Sequence, residues 1–446
     1  MILKRLLKIF IRKINFSWSL VSILLITLSI NVNPTFITNN ISNNLFALNF
    51  IRFFSASIFT ILIIIYFKFF KKKIFVLYSK NFLKNNIEIL LLFSIFIIFF
   101  LFSLLNFNLN LQILYFINYF NSFVFIYLIS NSKKNMILQN LIYFISITFF
   151  IYLLLILYEI VNDPLILTNL YKAKILQFDT RILNEATPRS TGAAKGILIF
   201  TLLIFFNFII KNNQILKLII MFLLGFIIFS LFSRTTLIFY IFLNIFYFLL
   251  IKKNYNLKII FIIFSLFFPA IFFNIFSTQY SNSSIKNYIY KNENYNFKNE
   301  KKYEVTKEIN NSSSGRILIW YKILKNKGNI YIGDGILADH SQFNESASNG
   351  LIYTYLCGGF FAFILLVIFK IIVIKKIFIS ISKKIKHNYL PSMIILFLFF
   401  RFLFENGYVV YLYELFLLLL SLIYLNKNLR RKFNSIRRPI IYNKQK

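Results

Sequence analysis

The chain is dominated by apolar runs that are each long enough to cross a lipid bilayer as an α-helix. A helix needs about 20 mostly apolar residues to span the hydrocarbon core. Windows of about 19 residues along the 446-residue sequence find roughly twelve such runs. Their predicted bounds are 15–31, 50–70, 87–106, 113–130, 138–160, 193–210, 215–232, 235–251, 257–276, 350–374, 389–404 and 409–425. Because 59% of the residues are hydrophobic, the sequence predicts an all-α polytopic transmembrane helical bundle, as one integral membrane domain over 1–446.

Lysine and arginine placement predicts the orientation of these spans. The formal net charge of +36 would ordinarily suggest nucleic acid or acidic lipid as a partner. Lys, however, is abundant together with Asn, Ile and Phe, as A/T-rich coding sequence produces, so no nucleic-acid partner is predicted. With twelve spans, the basic clusters before span one and after each even-numbered span share one side, which the positive-inside rule assigns to the cytoplasm. Both termini, including the basic tail 426–446, are therefore predicted to be cytoplasmic.

Two substantial loops are predicted on the opposite face. They are the third outer loop, 161–192, and the fifth outer loop, 277–349, between spans nine and ten. Residues 277–311 have little apolar content and low complexity, which argues against a catalytic role for them. From Ser312 onward, apolar residues recur at helical spacing and predict an amphipathic helix against the membrane face. These residues are Ile317, Trp320, Tyr321 and Leu324.

Cysteine and histidine are too few to suggest a metal centre. The sequence has one cysteine, Cys357, and two histidines, His340 and His387, without metal-ligand spacing. We therefore predict neither a metal nor a cofactor. Cys357 lies in an apolar run, and a lone cysteine forms no intrachain disulfide.

Arginine is informative because this chain otherwise uses lysine so freely. The guanidinium fork binds phosphate oxygens through two donors and stays charged, which a lysine ammonium cannot match. Several outer-face arginines converging on one cavity would suit a pyrophosphate-linked lipid, although any single one could instead reach for lipid headgroups. The outer-face arginines are Arg181, Arg189, Arg234, Arg316 and Arg401.

Polar and aromatic residues near span ten are candidates for contact with a glycan. Ser348 and Asn349 stand at the mouth of the span, where Asn349 could hold a sugar hydroxyl or serve as a helix cap. Trp320 and Tyr321 could stack on a sugar or anchor at the membrane interface. The glycines at 350, 358 and 359 allow close helix approach, and the GDG at 333–335 is interpreted as a turn.

The ordered motifs resemble those of a known family. They are RSTG at 189–192, SR at 233–234, GRILIWYKILKNKGNIYIGDG at 315–335, SNGLIYTYLCGG at 348–359 and RFLFENGYVVYLYE at 401–414. As a set covering residues from roughly 180 to 425, they resemble the bacterial O-antigen polymerase and O-antigen ligase superfamily.

The resemblance implies a metal-independent inverting glycosyltransferase at the periplasmic face of the bacterial inner membrane. Its substrate would be an undecaprenyl-diphosphate-linked oligosaccharide, with membrane lipid and a chain-length regulator protein as further partner candidates. Together with the arginine argument, the resemblance leads us to predict Arg316 and Arg181 as catalytic residues. Arg189, Arg234 and Arg401 are predicted to bind pyrophosphate, and Asn349, Ser348, Trp320 and Tyr321 to bind glycan or acceptor.

One departure from the family pattern concerns the base. Ligases usually carry His-Asn where this chain has Ser348-Asn349, and serine cannot serve as a base. Glu345, His340 or Glu405 would have to substitute, or activation would depend mainly on departure of the pyrophosphate. We therefore predict a polymerase, with a ligase as the alternative and a flippase or transporter as the alternative of another class.

Overall fold

A computed structural model describes ten stretches of the chain. They are 86–105, 109–130, 190–205, 214–230, 233–250, 255–272, 316–327, 329–343, 347–409 and 412–442. Within these residues the secondary structure is helical and contains no strand, which confirms the all-α prediction for this part of the chain. Predicted spans one, two and five and the segment 277–311 lie outside the described residues.

Eleven helices are described. In chain order they are α1 Ile87–Leu105, α2 Leu109–Ser130, α3 Ser190–Phe205, α4 Gln214–Ser230, α5 Arg234–Leu250, α6 Tyr255–Ile262, α7 Arg316–Asn326, α8 Ala338–Phe343, α9 Gly350–Ser382, α10 Tyr389–Phe402 and α11 Leu412–Tyr442. Helix α6 runs into a π-helical turn at Ile263–Phe267, and short 3-10 turns at Lys386–Asn388 and Gly407–Val409 precede α10 and α11. Among the described helices, α1 and α9 are long and apolar enough to cross a membrane, judged by length and composition.

The chain divides into two compact units. The first unit takes residues 1–29, 45–144 and 315–446, and the second takes residues 30–44 and 145–314. In the first unit α1 packs along α9 and α2, and α11 packs along α2 and α10. In the second unit α3 packs against α4 and α5.

Aromatic side chains fill much of the core of the first unit. The rings of Phe96 and Tyr119 join α1 to α2 at a centroid distance of 4.2 Å. Tyr119 also donates its hydroxyl to the carbonyl oxygen of Val409 at 2.6 Å. Buried phenols need such a partner because an unsatisfied hydroxyl in an apolar core is costly. The contact therefore ties α2 to the turn before α11.

In the second unit, hydrogen bonds surround the π-helical turn. The turn widens the helix and diverts backbone groups from their usual intrahelical partners. The carbonyl oxygen of Ser265 accepts a hydrogen bond from the Tyr240 hydroxyl at 2.8 Å. The Ser265 hydroxyl donates to the Asn244 side-chain oxygen at 2.5 Å. This network links the turn to α5, and predicted span nine is therefore not a regular helix.

The largest departure from the prediction is in span ten, expected as one continuous helix over 350–374. Helix α9 extends to Ser382 but is broken at Gly359, where φ is 63° and ψ is −167°. Only glycine adopts this backbone region without severe strain. Gly350 and Lys370 both lie against the ring of Phe402, although uninterrupted helix would separate them by about 30 Å. The first half, 350–358, therefore folds back along the second half.

A strap of non-helical chain, residues 329–335, seals this break. The N–H groups of Asp334 and Gly335 donate to the carbonyls of Leu356 and Cys357 at 2.9 and 3.0 Å. In return, the Phe360 N–H donates to the carbonyl of Ile330 at 3.1 Å. These bonds satisfy groups that the helix leaves unpaired where it stops. The GDG motif at 333–335, predicted as a turn, is instead a non-helical segment in close contact with the broken helix.

Two further boundaries differ from the sequence prediction. Helix α11 continues to Tyr442 and so includes most of the basic tail predicted at 426–446. The predicted amphipathic helix is confirmed as α7, where Ile323 is fully buried. The side chains of Ile317, Tyr321 and Leu324, by contrast, are exposed on its surface. An exposed apolar stripe of this kind suits contact with lipid.

Candidate functional site

Three segments that are distant in sequence meet in the first unit. At the start of α7, Arg316 Nη1 donates to the carbonyl oxygen of Phe404 at 2.8 Å. One helical turn later, Trp320 Nε1 donates to the carbonyl oxygen of Ala347 at 2.7 Å. Asn349 completes the set by donating from Nδ2 to the carbonyl oxygen of Leu403 at 2.9 Å. We call this meeting of α7, residues 347–350 and residues 401–407 the three-segment site.

Asn349 is the N-cap of α9. Its side-chain oxygen accepts hydrogen bonds from the N–H groups of Leu351 and Ile352 at 2.9 and 3.2 Å, which a helix start would otherwise leave unpaired. Its own backbone N–H donates to the side-chain oxygen of Asn406 at 3.1 Å. The geometry therefore matches the capping role that the sequence left open beside acceptor binding.

Asp339 fixes the loop beneath this cap and was missed by the sequence analysis. Its carboxylate, fully buried, accepts from the Ala347 N–H at 2.9 Å and from Asn406 Nδ2 at 3.1 Å. A buried carboxylate is stable only when hydrogen-bonded in this way. Asp339 belongs to no motif. The one available signal was that acidic residues are scarce, since the chain has only 14 of them.

Arg401 is buried and its charge is balanced by two carboxylates. The guanidinium forms ion pairs with Glu405, one helical turn away, and with the fully buried Glu414 of α11. Removing either partner would leave a charge in a poorly solvated setting. The predicted role of Arg401 in binding pyrophosphate would therefore require one carboxylate to be displaced. Glu405, named above as an alternative base, is occupied by its ion pair with Arg401.

Ser348 stands in a backbone conformation that serine seldom adopts. Its φ is 48°, in the left-handed region that costs an L-residue about 1–2 kcal/mol. Strain of this kind persists only where the surroundings impose it and is concentrated at functional sites. The backbone of the turn that contains Ser348 and Asn349 is thus strained.

Aromatic rings form one wall of the three-segment site. Phe402 stacks on Tyr408 with ring centroids 4.6 Å apart, and Gly350 lies directly against Phe402. The ammonium of Lys370 lies 4.1 Å from the centre of the Phe402 ring, a cation–π distance. Lys370 was not predicted from the sequence, because the candidate cations were arginines of the outer face.

The remaining predicted residues are placed less fully. His340 lies in α8 and Arg234 begins α5 in the second unit, but neither side chain is described. Tyr321 is 62% exposed. Arg181, Arg189 and Glu345 lie outside the described residues. The structure thus brings together six residues named in the sequence analysis: Arg316, Trp320, Ser348, Asn349, Arg401 and Glu405.

An apolar cavity of about 770 Å³, open to the surface of the protein, lies between α1 and α9. Its walls are residues 98–105 of α1 and 361–365 of α9, and the side chains that line it are Ile, Leu and Phe. It begins just beyond the break at Gly359. A cavity with this lining can accept hydrocarbon and offers no partner to a polar ligand.

Comparison with protein-family models, with curated proteins and with solved structures finds no match. Function therefore has to be inferred from the residues of the chain and their contacts.

Proposed function

We propose that the chain is an O-antigen or surface polysaccharide polymerase of the bacterial inner membrane. It would transfer glycan from undecaprenyl diphosphate onto an incoming lipid-linked repeat unit at the periplasmic face. The proposal includes about twelve membrane spans, with both termini cytoplasmic and the three-segment site facing the periplasm.

The observation that carries the proposal is the convergence of three motifs. The family resemblance was read from the motifs that contain Arg316, Asn349 and Arg401, and these are separate in sequence. Hydrogen bonds to the carbonyls of Leu403 and Phe404 bring all three into one place. Three of the five motifs that carry the resemblance therefore contribute to one site in the first unit.

A second polar cluster supports the membrane arrangement. Glu88, at the start of α1, is fully buried and pairs with Lys376 of α9 at 2.6 Å. Asn426 of α11 contacts both residues. The sequence assigns all three to the cytoplasmic side and assigns the three-segment site to the other. The stretch of α11 from Asn426 back to Glu414 would cover about 18 Å, so the two clusters lie at different depths.

The proposed reaction asks little of the protein beyond charge stabilisation and orientation. The acceptor hydroxyl oxygen forms a bond to the anomeric carbon while the bond from that carbon to the diphosphate oxygen breaks, with inversion. The hydroxyl proton passes to a base, for which His340 and Glu345 remain candidates, and the diphosphate leaves as an anion. Guanidinium donors such as that of Arg316 would stabilise that anion.

The apolar cavity between α1 and α9 fits the lipid part of such a substrate. An isoprenoid tail is hydrocarbon throughout, and the cavity is lined by Ile, Leu and Phe side chains. Its position beside the fold-back of α9 would let a tail lie in the cavity while the head group extends toward polar residues. This supports a lipid-linked substrate over a free sugar.

A transporter of lipid-linked glycan is the second candidate, and the break in α9 favours it. Secondary transporters build their binding sites from discontinuous helices whose ends face the substrate. Here the helix start at Asn349 lies beside charged residues in the same manner. A ligase that moves glycan to the lipid A core remains the alternative within the family, where Ser348 replaces the usual His.

A deletion strain separates these candidates. Surface glycan and lipid-linked intermediates are analysed on gels, with the intact gene restored as the control. A polymerase predicts lipid A cores that carry single repeat units. A ligase predicts long chains that remain unattached, and a transporter predicts repeat units trapped on the cytoplasmic side; either outcome would overturn the polymerase proposal.

A further inference from the structure

The break in α9 exposes the end of a half-helix, and a lysine side chain fills the space in front of it. Lys327 Nζ donates to the carbonyl oxygens of Tyr355 and Leu356 at 2.5 and 3.0 Å. The same ammonium lies 4.3 Å from the centre of the Tyr355 ring. Carbonyls at a helix C-terminus carry the negative end of the helix dipole, and the face of an aromatic ring is also negative. The arrangement is that of a site for a small cation.

Burial and the neighbouring carboxylate act in opposite directions on Lys327. Lys327 is half-buried, and burial lowers the pKa of its amine, while the carboxylate of Asp334 opposes that shift. Asp334 belongs to the strap, whose N–H groups occupy the next carbonyls of the same helix end. The Tyr355 carbonyl thus accepts from the ammonium, the Leu356 carbonyl from the ammonium and the Asp334 N–H, and the Cys357 carbonyl from the Gly335 N–H.

The lysine also aligns α7 with the first half of α9. Trp320 in α7 bonds to Ala347, just before that half-helix, while Lys327, just after α7, bonds to its far end. The two spacings along the chain are almost equal, at 27 and 28 residues. Hydrogen bonds from α7 and from the residue just after it therefore reach both ends of the half-helix, which restrains Arg316 relative to Asn349.

We propose that the end of the first half of α9 is a binding site for a small ammonium ion, and that Lys327 occupies it as a tethered ligand. Lys327 is a positioning residue: it holds the break in its present geometry and, through α7, holds the three-segment site together. Removal of the ammonium takes one donor from each of the Tyr355 and Leu356 carbonyls and leaves the Leu356 carbonyl with the Asp334 N–H alone of these two, so the strap separates from the half-helix more often. A free alkylammonium can then enter the same place and close it.

Cys357, the single cysteine of the chain, is a built-in reporter of this opening. It is fully buried at the break, and its carbonyl accepts the Gly335 N–H of the strap. Full-length protein in detergent is labelled with N-ethylmaleimide, and the rate is followed by mass spectrometry. Cys357→Ser serves as the unlabelled control, and protein in sodium dodecyl sulfate gives the rate for an accessible thiol.

Lys327→Met keeps the aliphatic stem and removes the ammonium. We expect its labelling rate to rise at least about tenfold, equivalent to about 1.4 kcal/mol of opening free energy. Lys322→Met, on the exposed side of α7, is the matched control and should label at the wild-type rate. Equal rates in Lys327→Met and the wild type, or equal acceleration in both variants, would overturn the proposal.

Rescue tests the site itself. In Lys327→Ala the space of the side chain is vacant, and n-propylammonium should slow the labelling of Cys357 while choline at the same ionic strength does not. No effect of n-propylammonium, or the same effect on wild-type protein, would contradict the site. Should Lys327→Ala fail to fold, expression with n-propylammonium in the medium should restore folded protein, and failure there would count equally against it. None of these readouts involves glycan transfer, so their outcome is separate from that of the proposed polymerase.

Discussion

The guanidinium of Arg316 donates a hydrogen bond of 2.8 Å to the carbonyl oxygen of Phe404, 88 residues further along the chain. This bond joins the start of α7 to the turn that follows α10. The same turn receives the side chain of Asn349 at the neighbouring carbonyl of Leu403. The turn after α10 therefore accepts hydrogen bonds from both of the other segments of the site.

Arg316 is expected to be essential for polymer formation. Loss of a donor that stabilises the departing diphosphate should lower the rate by about 100-fold to 1,000-fold. Arg316→Ala should therefore give cells with single repeat units while the protein remains in the membrane at normal abundance. Lys322→Ala, on the exposed face of the same helix, is the matched control and should leave the glycan ladder unchanged.

Arg181, which lies outside the described residues, is expected to give the same phenotype on the strength of the family resemblance. Arg181→Ala should abolish polymer without loss of membrane-inserted protein, as judged by immunoblotting of washed membranes. Wild-type chain length in both the Arg181→Ala and the Arg316→Ala strains would defeat the assignment of a diphosphate-binding pocket.

Asn349 should act mainly as a helix cap. Serine is also a good N-cap, whereas alanine is not, and loss of a cap costs about 0.5–2 kcal/mol. Asn349→Ala should lower both the thermal midpoint in detergent and the amount of polymer, while Asn349→Ser should retain most of each. A variant Asn349→Ser that is stable but makes no polymer would show instead that the amide contacts the acceptor.

The buried pair of Arg401 and Glu414 should be strongly coupled. Arg401→Met leaves a carboxylate buried without its partner and should cost about 3–5 kcal/mol of unfolding free energy. The double variant Arg401→Met, Glu414→Gln should recover part of that loss. Chemical denaturation of the wild type, Arg401→Met, Glu414→Gln and the double variant in one detergent gives the coupling energy. Strictly additive changes in unfolding free energy would rule out the ion pair.

The left-handed backbone at Ser348 should be measurable as strain. Glycine adopts a φ of 48° without a steric penalty, so Ser348→Gly should be at least as stable as the wild type. Valine is β-branched, and Ser348→Val should lose about 1–2 kcal/mol. The thermal midpoints of the two variants provide the comparison, and a stable Ser348→Val would exclude this backbone conformation.

Hydropathy predicted most of the described helices because a lipid-facing or core-facing helix must be apolar along its whole length. Helix α1, predicted at 87–106 and found at Ile87–Leu105, and α5, predicted at 235–251 and found at Arg234–Leu250, show how closely this works. The same criterion cannot detect a change of backbone direction. The apolar run continues through Gly358 and Gly359, so the break in α9 left no trace in the hydropathy.

The site was predictable only where a residue type carried information by itself. Arg316 stood out because arginine is rare in a chain rich in lysine, and Asn349 because it precedes an apolar run. Asp339 and Lys370 acquire meaning only through partners brought close by folding, the first through Ala347 and Asn406 and the second through Phe402. Pairwise contacts of that kind depend on the tertiary structure and have no signature in a single sequence.

Transfer by the purified protein tests the central claim most directly. Lipid-linked repeat units extracted from the deletion strain are incubated with the purified chain in detergent, with Arg316→Ala in parallel. The account predicts a ladder of longer lipid-linked glycans and release of undecaprenyl diphosphate with the wild type, and neither product with the variant. Unchanged repeat units in both reactions, together with movement of the same lipid across vesicle membranes by the wild type, would contradict glycan transfer.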